Sequence, residues 1–469
     1  MAETKSTCCY CGVGCGVIIE HEAGRVVGVK GDPDHPANFG RLCTKGATLH
    51  FSAAPETLAV RALYPELRAN RNEARQRVSW DSALDTAVEK FAAIIQEHGP
   101  DAVAVYGAGQ LLTEDYYVFN KLMKGLIGSN NLDTNSRLCM SSAVAGYKLS
   151  LGADAPPCSY ADIADTQALF ITGSNTAFAH PITFRRVEDA RKANPEMKLV
   201  VIDPRRTDTA EAADLHLALM PGTDIALYNA MLHVMLWEGW IDRDYIEAHT
   251  EGFDALKKVV REYSPAMAAS ICGLDKKAIE QAAQIFATSK ATMSMYCQGL
   301  NQFSFGTHNN SALINLHLAT GQIGKPGAGP FSLTGQPNAM GGREVGGLAN
   351  LLSAHRDMAN PAHRAEVAAL WGIDSVPDKP GKSAVELFQA LKSGEVKAVW
   401  IACTNPAQSM PDQTLIDEAL KSAEFVIVQE AFGHTETCAY ADLLLPATTW
   451  GEQDGTVTNS ERAITRVRG

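Results

Sequence analysis

Five of the eleven cysteines fall in the first 43 residues, and three of them, Cys8, Cys11 and Cys15, form a C-x2-C-x3-C run, with Cys43 following after 27 intervening residues. This three-plus-one grouping differs from the paired knuckles of zinc ribbons and favours an iron–sulfur cubane, which takes one thiolate per iron. A turn through Gly12, Gly14 and Gly16 lets three thiolates converge and exposes backbone N–H groups to the sulfurs. A structural zinc or a set of buried thiols is the alternative, although cysteines without a ligand role seldom repeat at ligand spacing. Cys9 is left over and is expected to point away.

At 469 residues the chain has length for roughly three domains. A composition 46% hydrophobic and 20% charged excludes disorder, and eleven cysteines are too sparse for a disulfide scaffold. The formal charge of −12 sets most of the surface against phosphate backbones and anionic lipid, so no nucleic acid partner is expected. No apolar run is long enough for a membrane span, so no membrane association is expected. The short stretch ahead of Cys8 has no room for a leader, which makes the expected location cytoplasmic.

Beyond the cysteines, short apolar runs alternate with longer amphipathic stretches, the pattern of an α/β chain with doubly wound, largely parallel sheets. Expected strands are Ala102 to Tyr106, Ala168 to Thr172, Leu199 to Ile202, Leu215 to Leu219, Thr292 to Cys297, Ala398 to Cys403 and Phe425 to Gln429. Expected helices are Trp80 to Glu97 after Ser79, Ile225 to Glu238 after Thr223 and Asp224, and Lys276 to Thr288 after Asp275. Gly321 to Gly347 lacks either periodicity and reads as a loop that brings backbone close to a ligand. The expected organisation is multidomain. Residues 1–55 form a small amino-terminal iron–sulfur domain, 56–137 with 335–469 a discontinuous α/β domain, and 138–334 an α/β nucleotide-binding domain that includes Cys139.

Neither a G-x-G-x-x-G nor a Walker signature is present. Three strand-end loops nevertheless share one design. Gly173, Ser174 and Asn175 offer small residues and N–H groups to a diphosphate; Asp203 stands where a ribose or purine amino group could donate to it, with Arg205 and Arg206 near phosphate; and Gly222 with Asp224 close the third loop. Three such loops in succession argue for one extended nucleotide ligand, although alone Asp203 reads as a turn residue and Asp224 as an N-cap.

The runs CCYCGVGC and GRLCTKG resemble the amino-terminal cluster segment of molybdopterin-dependent oxidoreductases, the formate dehydrogenase and nitrate reductase group. The resemblance implies a 4Fe-4S cluster on Cys8, Cys11, Cys15 and Cys43, and it puts Lys45, otherwise a solvated surface lysine, on the electron path. It makes the strand-end loops, with Thr207, binding segments for molybdenum-bis(molybdopterin guanine dinucleotide), joined by Gln110, Asn135, Gln302, Gln336, Asn405 and Gln429, whose amides suit the mixed edges of pterin and guanine. Cys139, which alone would read as a buried hydrophobe, becomes the molybdenum ligand near a helix N-terminus.

Formate dehydrogenases of this family usually carry His after that Cys or selenocysteine, whereas here Met140 follows, as in nitrate reductases. Thr334 to Gly346 resembles their active-site loop, with Arg343 placed to bind nitrate bidentately or, failing that, to form a surface salt bridge with Glu344 or another acid. The implied activity is reduction of nitrate to nitrite with electrons from a flavoprotein subunit, ferredoxin or flavodoxin. The alternatives are a formate dehydrogenase of the same family, or a noncatalytic iron–sulfur electron-transfer subunit. Family members also continue beyond the segment matching Gly469, so the resemblance implies that a carboxyl-terminal domain is absent.

Overall fold

The computed structural model describes residues 1–469, which fall into two compact units. Met1–Tyr10, Gly14–Leu138 and Gln336–Gly469 form the first, and Cys11–Val13 with Cys139–Gly335 form the second.

In the first unit a seven-stranded sheet runs Gln76–Arg77, Glu66–Leu67, Leu443–Pro446, Phe425–Glu430, Ala398–Ala402, Val103–Gly107, Leu132–Thr134. The last five strands are parallel, and the two short ones at the opposite edge are antiparallel. Val103–Gly107 is buried throughout, which explains its unbroken apolar run: a strand covered on both faces has no side to give to solvent. Helix Trp80–His98 begins at Ser79, whose hydroxyl accepts the Ser82 N–H at 3.2 Å, and it packs Ala83, Ala87 and Ile94 into the core beneath the sheet. Strand order reverses between Val103–Gly107 and Ala398–Ala402, because the chain leaves the first toward Leu132–Thr134 and the second toward Phe425–Glu430. Such a reversal parts the loops and opens a crevice at the strands' carboxyl ends. A three-stranded antiparallel sheet, Ala2–Thr7, Gly16–Glu22 and Arg25–Gly31, and a hairpin, Gly455–Thr458 with Ile464–Val467, complete the unit's strands.

The second unit has five strands, all parallel, in the order Leu215–Leu217, Lys198–Ile202, Ala168–Thr172, Thr292–Tyr296, Gly329–Ser332. Its reversal lies between Ala168–Thr172 and Thr292–Tyr296. Helix Asp224–Trp237 is apolar around its whole circumference and therefore lies inside, with Pro265–Cys272, Lys276–Thr288 and Gly306–Ala319 packed on it.

The expected strands form, with ends shifted by one or two residues, and the chain is α/β with largely parallel sheets. Gly321 to Gly347 departs from the expectation of a plain loop, since it holds the strand Gly329–Ser332 and the helix Ala339–Glu344. Four residues are too few to show a period, and Pro330 is tolerated because that strand lies at the sheet's edge. No helix is long and apolar enough to cross a membrane.

Met231 lies at 0% exposure in the middle of the buried helix. Met231→Ala is expected to cost about 2–5 kcal/mol, read as a fall of several degrees in the midpoint of thermal unfolding.

Candidate active site

The cysteine turn is closed by the Cys8 N–H donating to Cys15 O at 2.9 Å. Asn38 ties this turn to the approach of the fourth cysteine: its Oδ1 accepts from Gly16 N at 2.8 Å, while its Nδ2 donates to Gly16 O at 3.0 Å and to Arg41 O at 2.9 Å, two residues before Cys43. Cys8 and Cys15 are buried and Cys43 half-buried, and half-buried Lys45 sits in the short helix Thr44–Ala47 that Cys43 opens. Burial, then the charges of Cys9, Cys8 and Cys43, push the Tyr10 phenol up, which places those thiols within electrostatic reach of one ring. In the second unit Gly12 N donates to Gly335 O at 3.2 Å, and the Tyr160 hydroxyl reaches Gly12 O at 3.1 Å and Val13 O at 3.3 Å. A Cβ at Gly12 would stand 2.1 Å from Thr334 O, so only glycine fits.

Cys139 is the third residue of helix Arg137–Leu151, in its first turn. Gln298 Nε2 donates to Cys139 Sγ at 2.8 Å, the donor that a metal-bound thiolate takes from its surroundings. Gln298 is oriented in turn by Cys297, whose sulfur meets Gln298 Oε1 and lies 3.2 Å from Leu333 O. Burial first, then Cys139 and Cys11, push the Cys297 thiol up and keep it protonated. Met140 is buried at 1% exposure.

The second unit's strand-end loops divide by role. Gly173 (φ +57) accepts from Gly299 N at 2.9 Å, and a Cβ there would come within 2.5 Å of Leu300 N, so close packing of two backbones explains this glycine. Ser174 bonds Thr176 at 2.9 Å, and Asn175 Oδ1 accepts from the Thr209 hydroxyl at 2.9 Å. Asp203 accepts from Arg205 N at 2.8 Å, as a turn residue does, and Thr207 caps Asp208–Glu211. Arg205 is exposed, and Arg206 pairs with Glu211 at 2.8 Å on the surface. Gly222 has φ +83, and Asp224 is the first residue inside the buried helix rather than its cap, with burial raising it to about 6. Gln302 is exposed, one turn beyond Gln298.

At the first unit's reversal, Asn135 Oδ1 accepts from Gly109 N at 2.7 Å and from Gln336 Nε2 at 2.9 Å, and its Nδ2 donates to Thr404 Oγ1 at 3.2 Å. A Cβ at Gly109 would meet Gln336 Oε1 at 1.7 Å. Gln110, Cys403 and Gln429 line a cavity of about 990 Å³ in this unit together with Cys8 and Tyr10. Cys403 holds φ +54, a left-handed conformation rare outside glycine, at the end of Ala398–Ala402. Asn405 is tied to the turn Glu436–Tyr440 after the neighbouring strand, accepting from Thr437 N at 3.1 Å and donating to Glu436 at 2.6 Å. Arg343 is buried at 2% exposure, not at the surface, and donates to Met340 Sδ at 2.7 Å, whereas Glu344 accepts from Thr458 and faces Arg462.

Cys297, without ligand spacing, reads from the sequence as a buried thiol and is one, whereas the parts played by Gln298 and Asn38 have no spacing signal. The available signal was an amide placed directly after a buried strand, in CQGLNQ.

Two parallel sheets with polar loops at their reversal points, and a cysteine turn at the amino terminus, define a cofactor-binding redox chain of the α/β class. The chain belongs to the molybdopterin oxidoreductase family: the model described as molybdopterin oxidoreductase matches residues 61–468, and the molybdopterin oxidoreductase Fe4S4 domain matches residues 1–54. It is 48% identical over 468 residues to a nitrate reductase of Klebsiella oxytoca, covering 100% of this chain and 52% of that protein. It is 46% identical over 471 residues to a nitrate reductase of Synechocystis sp., covering 98% and 65%. Formate dehydrogenase H of Escherichia coli is more distant, at 34% over 468 residues, covering 99% and 65%. The chain thus spans between half and two thirds of the length of these curated relatives. The solved structure of acetylene hydratase from Pelobacter acetylenicus shares the fold, with a TM-score of 0.80 and 24% identity over 99% of this chain and 66% of that one.

The residues present fit a molybdenum cofactor and a 4Fe-4S cluster. Cys139 is a soft donor already provided with a hydrogen bond, and a cavity with Gln110 and Gln429 in its wall lies at the first unit's strand-order reversal. No three His, Cys, Asp or Glu side chains are grouped as ligands of a single ion; in a cubane each corner thiolate binds a different iron, so its ligands stand farther apart. Gly12→Ala is expected to reduce iron and acid-labile sulfide by at least half, measured on the purified protein, because Thr334 O leaves no space for the added methyl.

Proposed function

We propose that this chain carries the catalytic centre of a nitrate reductase, converting nitrate to nitrite and water with two electrons and two protons. The observation that carries this reading is Cys139 with its Gln298 hydrogen bond, followed by Met140 where a proton-relaying His would suit formate oxidation. Greater identity to nitrate reductases than to formate dehydrogenase H supports the same choice.

When bound, molybdopterin guanine dinucleotide carries molybdenum that exchanges two electrons and an oxygen atom, and the 4Fe-4S cluster passes electrons singly. Cys8, Cys11, Cys15 and Cys43 hold the cluster, and Lys45 lies on the route from it. Cys139 ligates molybdenum while Gln298 holds its sulfur in orientation. Gly173, Ser174, Asn175, Asp203, Arg205, Thr207, Gly222, Asp224 and Gln302 serve the nucleotide in one unit, and Gln110, Asn135, Gln336, Asn405 and Gln429 serve it in the other. Arg343 clamps nitrate with its planar fork, and Met140 keeps the metal's surroundings free of acid–base groups. An electron-donor protein, a flavoprotein, ferredoxin or flavodoxin, would supply the electrons to the cluster those cysteines would hold.

Cys139→Ser is expected to keep the electron paramagnetic resonance of the reduced cluster and lose nitrite formation from a reduced dye; undiminished turnover removes Cys139 from the site. Arg343→Lys is expected to raise the nitrate KM or lower kcat by about tenfold, because a point charge does not replace a bidentate fork; steady-state kinetics decide it.

A further inference from the structure

Lys124 is wholly buried, at 0% exposure. Its ammonium donates to three main-chain carbonyls, Gly346 O at 2.7 Å, Leu348 O at 2.9 Å and Leu351 O at 2.6 Å. An ammonium has three N–H bonds, and here each meets one oxygen. The segment so held directly follows helix Ala339–Glu344, which bears Arg343, and it has little regular structure with which to satisfy its own carbonyls.

Tyr116, Asn120 and Lys124 share one face of a helix that runs as Thr113–Asn120 and continues as the π-helical turn Lys121–Ile127. A Cβ at Gly342 would sit 3.0 Å from the Tyr116 ring, and Asn120 Nδ2 donates to Val345 O. From the other side Asp133 Oδ1 accepts the Ala349 N–H at 3.3 Å, and Arg137, paired with Asp133 at 2.9 Å, donates to Asn350 Oδ1 at 2.8 Å. Widened π turns recur where a helix must aim a side chain at a functional segment.

We infer that Lys124 is a positioning residue that sets the conformation of residues 345–351 and through them the presentation of Arg343 to its anion. This rests on the assignment of Arg343 to nitrate. An amide offers two N–H groups and a guanidinium a fork of different shape, so neither reproduces three convergent donors.

Hydrogen exchange read by mass spectrometry on wild type, Lys124→Gln and Lys124→Arg tests the anchor without reference to substrate, and nitrate kinetics test its consequence. The expected result for Lys124→Gln is exchange at least tenfold faster confined to peptides covering 339–351, with nitrate KM raised about tenfold and kcat changed less than threefold. Lys124→Arg, which keeps the charge if the glutamine variant does not fold, should show the same pattern at smaller amplitude. Unchanged exchange in 345–351, acceleration spread evenly over the chain, or confined acceleration with unchanged KM would each overturn the inference. A wild-type protein that reduces no nitrate would defeat the functional assignment, while the exchange pattern would still decide the anchor.

Discussion

Parallel sheets gather their strand-end loops at one edge, and where strand order reverses two neighbouring loops run apart and leave a crevice. Each unit of this chain has one such reversal, and what the site contains depends on how closely the backbone packs there. In the second unit the Gly299 N–H donates to Gly173 O, and a side chain on either glycine would collide with the other's backbone. That contact fixes the residue before Gly299, so Gln298 emerges at a set point and its amide meets Cys139 at 2.8 Å. A looser approach would cost that aim before it cost the sheet.

The first unit solves a different problem, the burial of charge. Asp133 is fully buried and is pushed up by loss of solvent, against which Arg137 and the N–H groups of Ala349 and Ala384 act. Lys124 is pulled down to about 7 by burial, against the field of Asp133. A buried charge with partners missing costs several kcal/mol, and here each group meets donors or acceptors enough to be tolerated. What the arrangement supplies is conformational definition for a glycine-rich segment that neither helix nor sheet could hold.

Much of this was legible in the sequence where a single physical rule operated. Buried parallel strands such as Ala168–Thr172 read as apolar runs, and the caps Ser79 and Asp275 marked helix starts because their side chains accept the N–H groups expected of them. The edge strand Gly329–Ser332 was not legible, being too short for a period and interrupted by Pro330. Spacing made the cysteine motif conspicuous, whereas Gln298, Asn38 and Lys124 act through contacts with residues far away in sequence, such as Cys139 and Gly346. Lys124 in particular looked like any other lysine in a helix, since burial is a property of the fold and not of the residue.

The strand-end loops show how a shared design can conceal different work. Gly173 is required by packing, Asp203 by its turn and Asp224 by the start of an interior helix, so each has a structural duty apart from any ligand. Amides stand beside these loops: Gln298 against Cys139 in one unit, and Asn135 with Gln336 near the cavity in the other. Burial pushes Asp115 and Glu430, which line that cavity, toward their neutral forms, and raises the Cys403 thiol to about 12. Desolvation of the cavity wall thus acts on these acids in the direction that lessens repulsion of an anion.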